Sequence, residues 1–275
     1  MLRWSGHIAE LRPDPEEAKT ALALAERRAG QEIPGIDLDL DAMLALWESM
    51  APDIAKAPFS DEKSSALRYW YNNGFYRHGD GKVYYGMLAR FRPRRIIEIG
   101  CGFSTALALD TIEHLALDTK MTLIEPESAR VQSLLRPNDR HRVELRQNIV
   151  QDVPPAFFAD LGENDILFID SSHILKTGSD VCYEFFEILP RLRQGVIVHV
   201  HDIGDQFEYP PNWVFKDKRP YTEAYLLRAF LMHNTAYKPI FFNNYFAARY
   251  PDKLKIEGVR GDRNEGGSLW MRREA

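Results

Sequence analysis

From residue 93 onward the chain alternates short apolar runs with longer stretches of mixed character: "RIIEIG", "MTLIEP", "RVELRQ", "DILFID" and "GVIVHVHD". Such near-continuous runs suit strands covered on both faces. Their alternation with helical patterns predicts a parallel sheet wound by helices on both sides, an α/β fold. Residues 178–192 show the helical half of the pattern, with Val181, Phe185, Ile188 and Leu192 on one face and Gly195 just beyond the end. Upstream, residues 14–29, "DPEEAKTALALAERRA", carry acids in the first turn and arginines in the last, and residues 41–50, "DAMLALWESM", predict a second helix before a proline-containing loop. Residues 1–80 therefore read as an N-terminal helical cap with its connector, and 81–275 as the core, entered through a helix over Val83–Phe91. No internal repeat or low-complexity tract interrupts this plan.

The connector, residues 67–91, is dense in aromatics and contains Gly-Asp-Gly. Trp70, Tyr71, Phe75 and Tyr76 read first as packing between cap and core, and second as a wall for a cationic ligand, because aromatic faces attract sulfonium or ammonium groups. Residues 204–233 carry paired prolines and several aromatics before a helix beginning near Thr222; a loop of that length, 204–222, is expected to be a substrate lid, with Tyr209, Trp213 and Tyr221 as contacts or anchors.

Composition adds exclusions. The chain has 275 residues, 45% hydrophobic and 27% charged, as expected of a soluble globular protein. Its net charge of -5 and the absence of a basic track argue against nucleic acid as a partner. Two separated cysteines, Cys101 and Cys182, form neither a disulfide framework nor a thiolate metal site, so a reducing cytoplasm is the expected setting. The first residues, "MLRWSGHIAELRPDPEEA", lack the apolar core of a signal peptide, and no run is long enough to cross a bilayer.

In open parallel sheets ligands bind beyond the carboxyl ends of the strands. Here those ends are Glu98-Ile99-Gly100-Cys101-Gly102, then Glu125, then Asp152, then Asp170-Ser171-Ser172-His173, then His201-Asp202. Gly100 and Gly102 permit a tight turn, and the helix start at Ser104-Thr105 aims free N–H groups at a ligand. Glu125 ends the next strand where a carboxylate accepts the hydroxyls of a ribose. A dinucleotide site asks for a third glycine where this chain has Thr105; S-adenosylmethionine, with no phosphate to cradle, tolerates the bulkier residue.

The ordered set "IIEIGCGFST", "TLIEPE", "QDVP" and "DILFIDSSH…LPRLRQGVIVHVHDI", with "FEYPPNWV" and a final "GSLWMRR", resembles the motif series of class I S-adenosylmethionine-dependent methyltransferases, from about residue 80 to the end. The resemblance implies a Rossmann-like, doubly wound, mostly parallel seven-stranded sheet. It places Glu98, Gly100, Gly102 and Ser104 at the cofactor loop, Glu125 on the ribose, Gln151 or Asp152 beside adenine, and Asp170 facing the methyl group. Metal-dependent O-methyltransferases similar to this chain hold a metal between acids at the positions of Asp170 and Asp202, and sugar-modifying relatives have a histidine base where His173 stands. Ile203 occupies a place where some metal-dependent members have an asparagine ligand.

The resulting expectation is methyl transfer to a small-molecule acceptor, most naturally a hydroxyl. His173 serves as base, because imidazole titrates near neutrality, and Asp170 and Asp202 position the acceptor, with Mg²⁺ between them left open. The plainer alternatives are that Asp170 binds the methionine amino group, that Asp202 caps a helix and that His173 is a loop residue. A cofactor cyclase or lyase, a nicotinamide oxidoreductase and a binding protein without turnover stay open as other classes. His199 and His201 share a strand face with Asp202, which raises an iron site; satisfied core histidines explain them more simply.

Overall fold

The structure, a computed structural model, describes residues 14–254 and 266–275. The segment 1–13, on which most of the leader reading rests, lies outside the described residues. Seven strands, β1 (Arg95–Ile99), β2 (Lys120–Ile124), β3 (Val143–Arg146), β4 (Ile166–Ile169), β5 (Ile197–Val200), β6 (Tyr237–Phe242) and β7 (Leu269–Arg273), form one sheet in the order β3-β2-β1-β4-β5-β7-β6. All neighbours run parallel except β7, which is antiparallel to both β5 and β6. Each predicted apolar run became a strand, and β4 and β5 are buried along their whole length, as two-sided cover by helices requires.

Along the chain the helices are α1 (Pro15–Arg27), α2 (Leu40–Ile54), α3 (His78–Phe91), α4 (Phe103–His114), α5 (Ala129–Leu134), α6 (Pro155–Phe158), α7 (Asp180–Tyr183), α8 (Pro211–Phe215), α9 (Glu223–Leu231) and α10 (Asn243–Arg249). Asp14 and Asp39 cap α1 and α2, accepting from the amides of Glu16 and of Ala42, each at 2.9 Å, the usual remedy for unpaired first-turn donors. Helix α2 runs through Pro52, past the loop expected there. Its final turn is held by packing: Met50 and Ile54 are buried, and a Cβ on Gly86 of α3 would stand 2.9 Å from Ile54 Cδ1. Buried Met43, Trp47, Met50 and Ile54 join the same apolar core as the sheet, so α2 is part of the core's outer layer, and no described residue before Gly74 lines the main cleft.

Three departures from the expected elements have local causes. Helix α3 takes in Gly-Asp-Gly, because the Asp80 side chain accepts the Gly267 amide at 3.0 Å and Gly81 leaves room for the Tyr69 hydroxyl. The helix expected over 178–192 starts as α7, widens into a π-helical turn at Glu184–Ile188 and ends as a 3₁₀ turn at Leu189–Arg191, where Pro190 lacks an amide hydrogen. Strand β6 holds Pro239, which an edge strand tolerates. The connector is pinned by Arg68, buried and paired with Asp110 at 2.6 Å and with Glu113 and Asp139 at 2.7 Å. No helix of the described residues is long and apolar enough to cross a membrane.

Candidate functional site

The sheet reverses its order between β1 and β4, and the strand ends open there onto a cleft of about 800 Å³. Gly100, Gly102, Ser104, Glu125, Asp170, His173, His201 and Asp202 all line it. A second lobe of about 630 Å³ shares Gly100, Glu125, Asp170 and Ser171 with the first and adds Ile149, Val150 and Gln151. Two lobes of this size offer room for a nucleoside-sized ligand with a second molecule beside it.

The turn after β1 is built in two layers. Gly100 has φ +79, and a Cβ on it would overlap the Asp170 carbonyl at the end of β4. The glycine is therefore demanded by the neighbouring strand as well as by the turn. Above Gly102, by contrast, a Cβ would meet only Arg130, at 3.4 Å, which leaves the backbone open to the cleft. Glu98 lies underneath, fully buried, accepting from Ser104 Oγ at 2.5 Å and Thr105 Oγ1 at 2.8 Å. Burial pushes its carboxyl up to about 8 against the pull of those two hydroxyls. Glu98 is thus a brace for the loop and the α4 N-terminus, outside the residues that line either lobe.

Glu125 stands at the junction of the lobes. Its two oxygens accept the amides of Cys101 at 3.1 Å and Glu127 at 2.8 Å, which fixes the carboxylate and leaves lone pairs for ligand hydroxyls. Of the pair expected beside adenine, Gln151 lines the second lobe, whereas Asp152 is exposed and lines neither lobe. Gln151 Nε2 donates to the Gly178 carbonyl at 3.0 Å, and its Oε1 is buried without a partner. An unmet acceptor in that lobe suits an exocyclic amino group.

Deeper in the first lobe two imidazoles alternate with two carboxylates. His173 Nε2 lies 3.3 Å from Asp170 and 3.4 Å from Asp202; His201 Nδ1 lies 3.3 Å from Asp170 and 3.4 Å from Asp202. His201 Nε2 faces Asp80 at 3.6 Å, and His173 Nδ1 meets Glu223 at 2.8 Å. His173 and Asp202 both adopt positive φ, +60 and +58, a conformation non-glycine residues keep only where the surroundings enforce it. Burial pulls both imidazoles down, but Asp170 with Glu223 for His173, and Asp170 with Asp202 for His201, hold them well above their usual value. Burial raises Asp170 too, and the two imidazoles more than reverse it, leaving that carboxyl well below the usual range. Burial raises Asp202 and Glu223 despite the same imidazoles. The carboxylates around His173 thus favour its protonated form.

Asp80 and Glu223 had no signal along the chain. Asp80 sits within an apparent helix break, and Glu223 looks like an ordinary first-turn acid; both join the cluster only through the fold. The aromatics divide. Phe75, Tyr76, Trp213 and Tyr221 line the cleft, while Tyr71 and Tyr209 are buried packing residues and Trp70 meets Phe103 edge-on at 5.0 Å. Arg219 lies 4.1 Å over the Trp213 ring, a cation–π contact. His199 is enclosed by Phe168 at 3.9 Å and Trp270 at 4.4 Å between centroids, outside the cleft. Among the described residues no three or more His, Cys, Asp or Glu side chains are grouped to hold a metal.

Comparison with known proteins finds a partial match. A model described as a methyltransferase domain matches residues 97–203. A curated protein of Archaeoglobus fulgidus, described as an uncharacterized protein, is 34% identical over 145 residues, 50% of this chain and 64% of its own length. The match thus spans less than two thirds of that relative. Similar solved structures include the O-methyltransferase TomG of Streptomyces achromogenes, involved in tomaymycin synthesis, in complex with SAM (17% identity, 87% of this chain and 92% of that one, TM-score 0.47). Another is CmcI with magnesium and SAM (18% identity, 73% of each chain, TM-score 0.43). The stretch 97–203 that resembles the methyltransferase-domain family holds the glycine turn, Glu125 and most of the histidine–carboxylate cluster, and it lies within the seven-stranded, mostly parallel sheet.

Proposed function

We propose that this protein transfers a methyl group from S-adenosylmethionine to a hydroxyl on a small molecule. The observation that carries the reading is Glu125, held by two amides at the junction of two lobes, one of them with the unmet acceptor of Gln151. When bound, the cofactor supplies a methyl group already activated on sulfonium. The protein's own task is then to align two molecules and exclude water. Glu125 holds the ribose, Gln151 the adenine edge, and Gly102 with Ser104 the methionine end. Asp170, ionised and at the lobes' common wall, meets the positive end of the cofactor. The acceptor lies under Trp213 and Tyr221, its hydroxyl directed at His173, which takes the proton through Nε2. Surrounding carboxylates raise the basicity of this ring. O-methylation is favoured because a hydroxyl must shed a proton during transfer. Free Cys101 and Cys182 suit a reducing compartment such as the cytoplasm.

Calorimetric titration tests the cofactor. S-adenosylhomocysteine should bind and NAD should not, and Glu125→Ala should weaken the former roughly 100-fold through loss of charge-assisted hydrogen bonds. Tight NAD binding with no response to S-adenosylhomocysteine would overturn the reading. Products formed from S-adenosylmethionine alone would instead indicate a cyclase or lyase.

Convergence of Asp170 and Asp202 supports a second element, Mg²⁺. Magnesium is often held by one or two carboxylates, with water and substrate oxygens completing its shell, and these two acids fit that mode. It would acidify an acceptor hydroxyl. The expected result is that EDTA lowers transfer and Mg²⁺ restores it in the native chain, and that restoration fails in Asp202→Asn; transfer indifferent to EDTA removes the metal.

A further inference from the structure

We propose that Glu223 is a positioning residue that sets the tautomer and aim of His173. The inference rests on the reading of His173 as the base. Glu223 opens α9 with its side chain 1% exposed, a placement that costs a carboxylate several kcal/mol or more unless it is partnered. Its hydrogen-bond partner is His173 Nδ1 at 2.8 Å, and its other oxygen is buried without one among the described residues.

The backbone makes the same connection. The His173 carbonyl accepts the amides of Thr222 at 2.9 Å and Glu223 at 3.2 Å, and Thr222 Oγ1 accepts the Leu175 amide at 2.7 Å. The Tyr221 ring lies 4.7 Å from the imidazole. The start of α9 therefore grips both the main chain and the ring of a residue whose φ of +60 needs outside support.

The chemical consequence is a choice of nitrogen. Free neutral imidazole prefers its proton on Nε2, which would leave the cleft-facing nitrogen unable to accept another. A carboxylate at Nδ1 retains the proton there and frees Nε2, the nitrogen that faces the cleft beside Asp170 and Asp202. Asp170, Asp202 and Glu223 surround the ring, with buried Glu184 behind them bonded to Ser171 at 3.1 Å. Of these, Glu223 makes the aligned hydrogen bond. Because the lid 204–222 ends at this residue, the lid and the base share one anchor.

The test uses the full chain labelled with ¹⁵N-histidine, read by long-range ¹H–¹⁵N spectra after titration to the neutral ring, with the His173 signals assigned by their loss in His173→Ala. The wild type should show protonated Nδ1 and bare Nε2. Glu223→Gln, which still offers an acceptor, should retain that pattern, and Glu223→Ala should move the proton to Nε2. A wild-type ring protonated on Nε2, or a pattern unchanged in Glu223→Ala, overturns the proposal. Affinity for S-adenosylhomocysteine should stay within about threefold in both variants, because Glu223 lies outside both lobes; a loss as large as that in Glu125→Ala would assign Glu223 a structural role instead. If the wild type fails to bind S-adenosylhomocysteine, methyl transfer fails as a reading, while the tautomer still judges Glu223.

Discussion

Replacing Gly100 by alanine should destabilise the protein by about 3 kcal/mol or more, combining the strain of a positive φ with overpacking against fixed backbone. The φ of +79 and the overlap of a Cβ with the Asp170 carbonyl act together. Neither β1 nor β4 can yield easily, because Asp170 N donates to the Ile99 carbonyl at 2.8 Å immediately beside the contact. In a thermal melt the loss should appear as a fall in Tm on the order of 10 °C, with weaker binding of S-adenosylhomocysteine as a consequence. Gly102→Ala is the control: its Cβ meets only Arg130 at 3.4 Å, so Tm should hold while affinity falls. An unchanged melt for Gly100→Ala would show that the turn can open, and the two-layer account of the loop would go with it.

Loss of the imidazole at His173 should slow methyl transfer about 10²–10⁴-fold, the usual worth of a positioned general base. The comparison is wild type against His173→Ala and His173→Gln on an acceptor found by screening for the mass of an added methyl, under single-turnover conditions. Affinity for S-adenosylhomocysteine should change little, since Glu125 and Gln151 lie elsewhere in the cleft. Full rates in both variants would remove the base and leave alignment as the protein's contribution.

Parallel-sheet logic made much of the site legible. Buried strands appear as apolar runs, and ligands meet parallel strands at their carboxyl ends, so Glu125, Asp170, His173 and Asp202 could be singled out by where their runs stop. The cause behind some of these choices was not legible. Gly100 looked like a concession to a ligand, and its closest constraint is a carbonyl on β4, a contact across 70 positions that no local pattern records. The resemblance put Glu98 at the cofactor loop, but its side chain turns to the α4 start. Asp152 and Gln151 were indistinguishable by spacing, and the turn they share turned one into the lobe. Asp80 and Glu223 meet their histidines through tertiary contacts alone. Pro239 concealed β6, since only its place at the sheet edge makes proline acceptable there.

The antiparallel β7 lies between β5 and β6, so the last in chain order of these seven strands enters the sheet's interior. Until it emerges from the ribosome, β5 presents an open edge of unpaired amides and carbonyls, the kind of surface that recruits stray strands and chaperones. Gly267 and Ser268, just ahead of β7, also tether Asp80. A chain in which β7 has not docked would thus be exposed to aggregation and would lack the Gly267 and Ser268 contacts that hold Asp80 beside His201, so docking of one strand closes the sheet and completes the surroundings of that histidine.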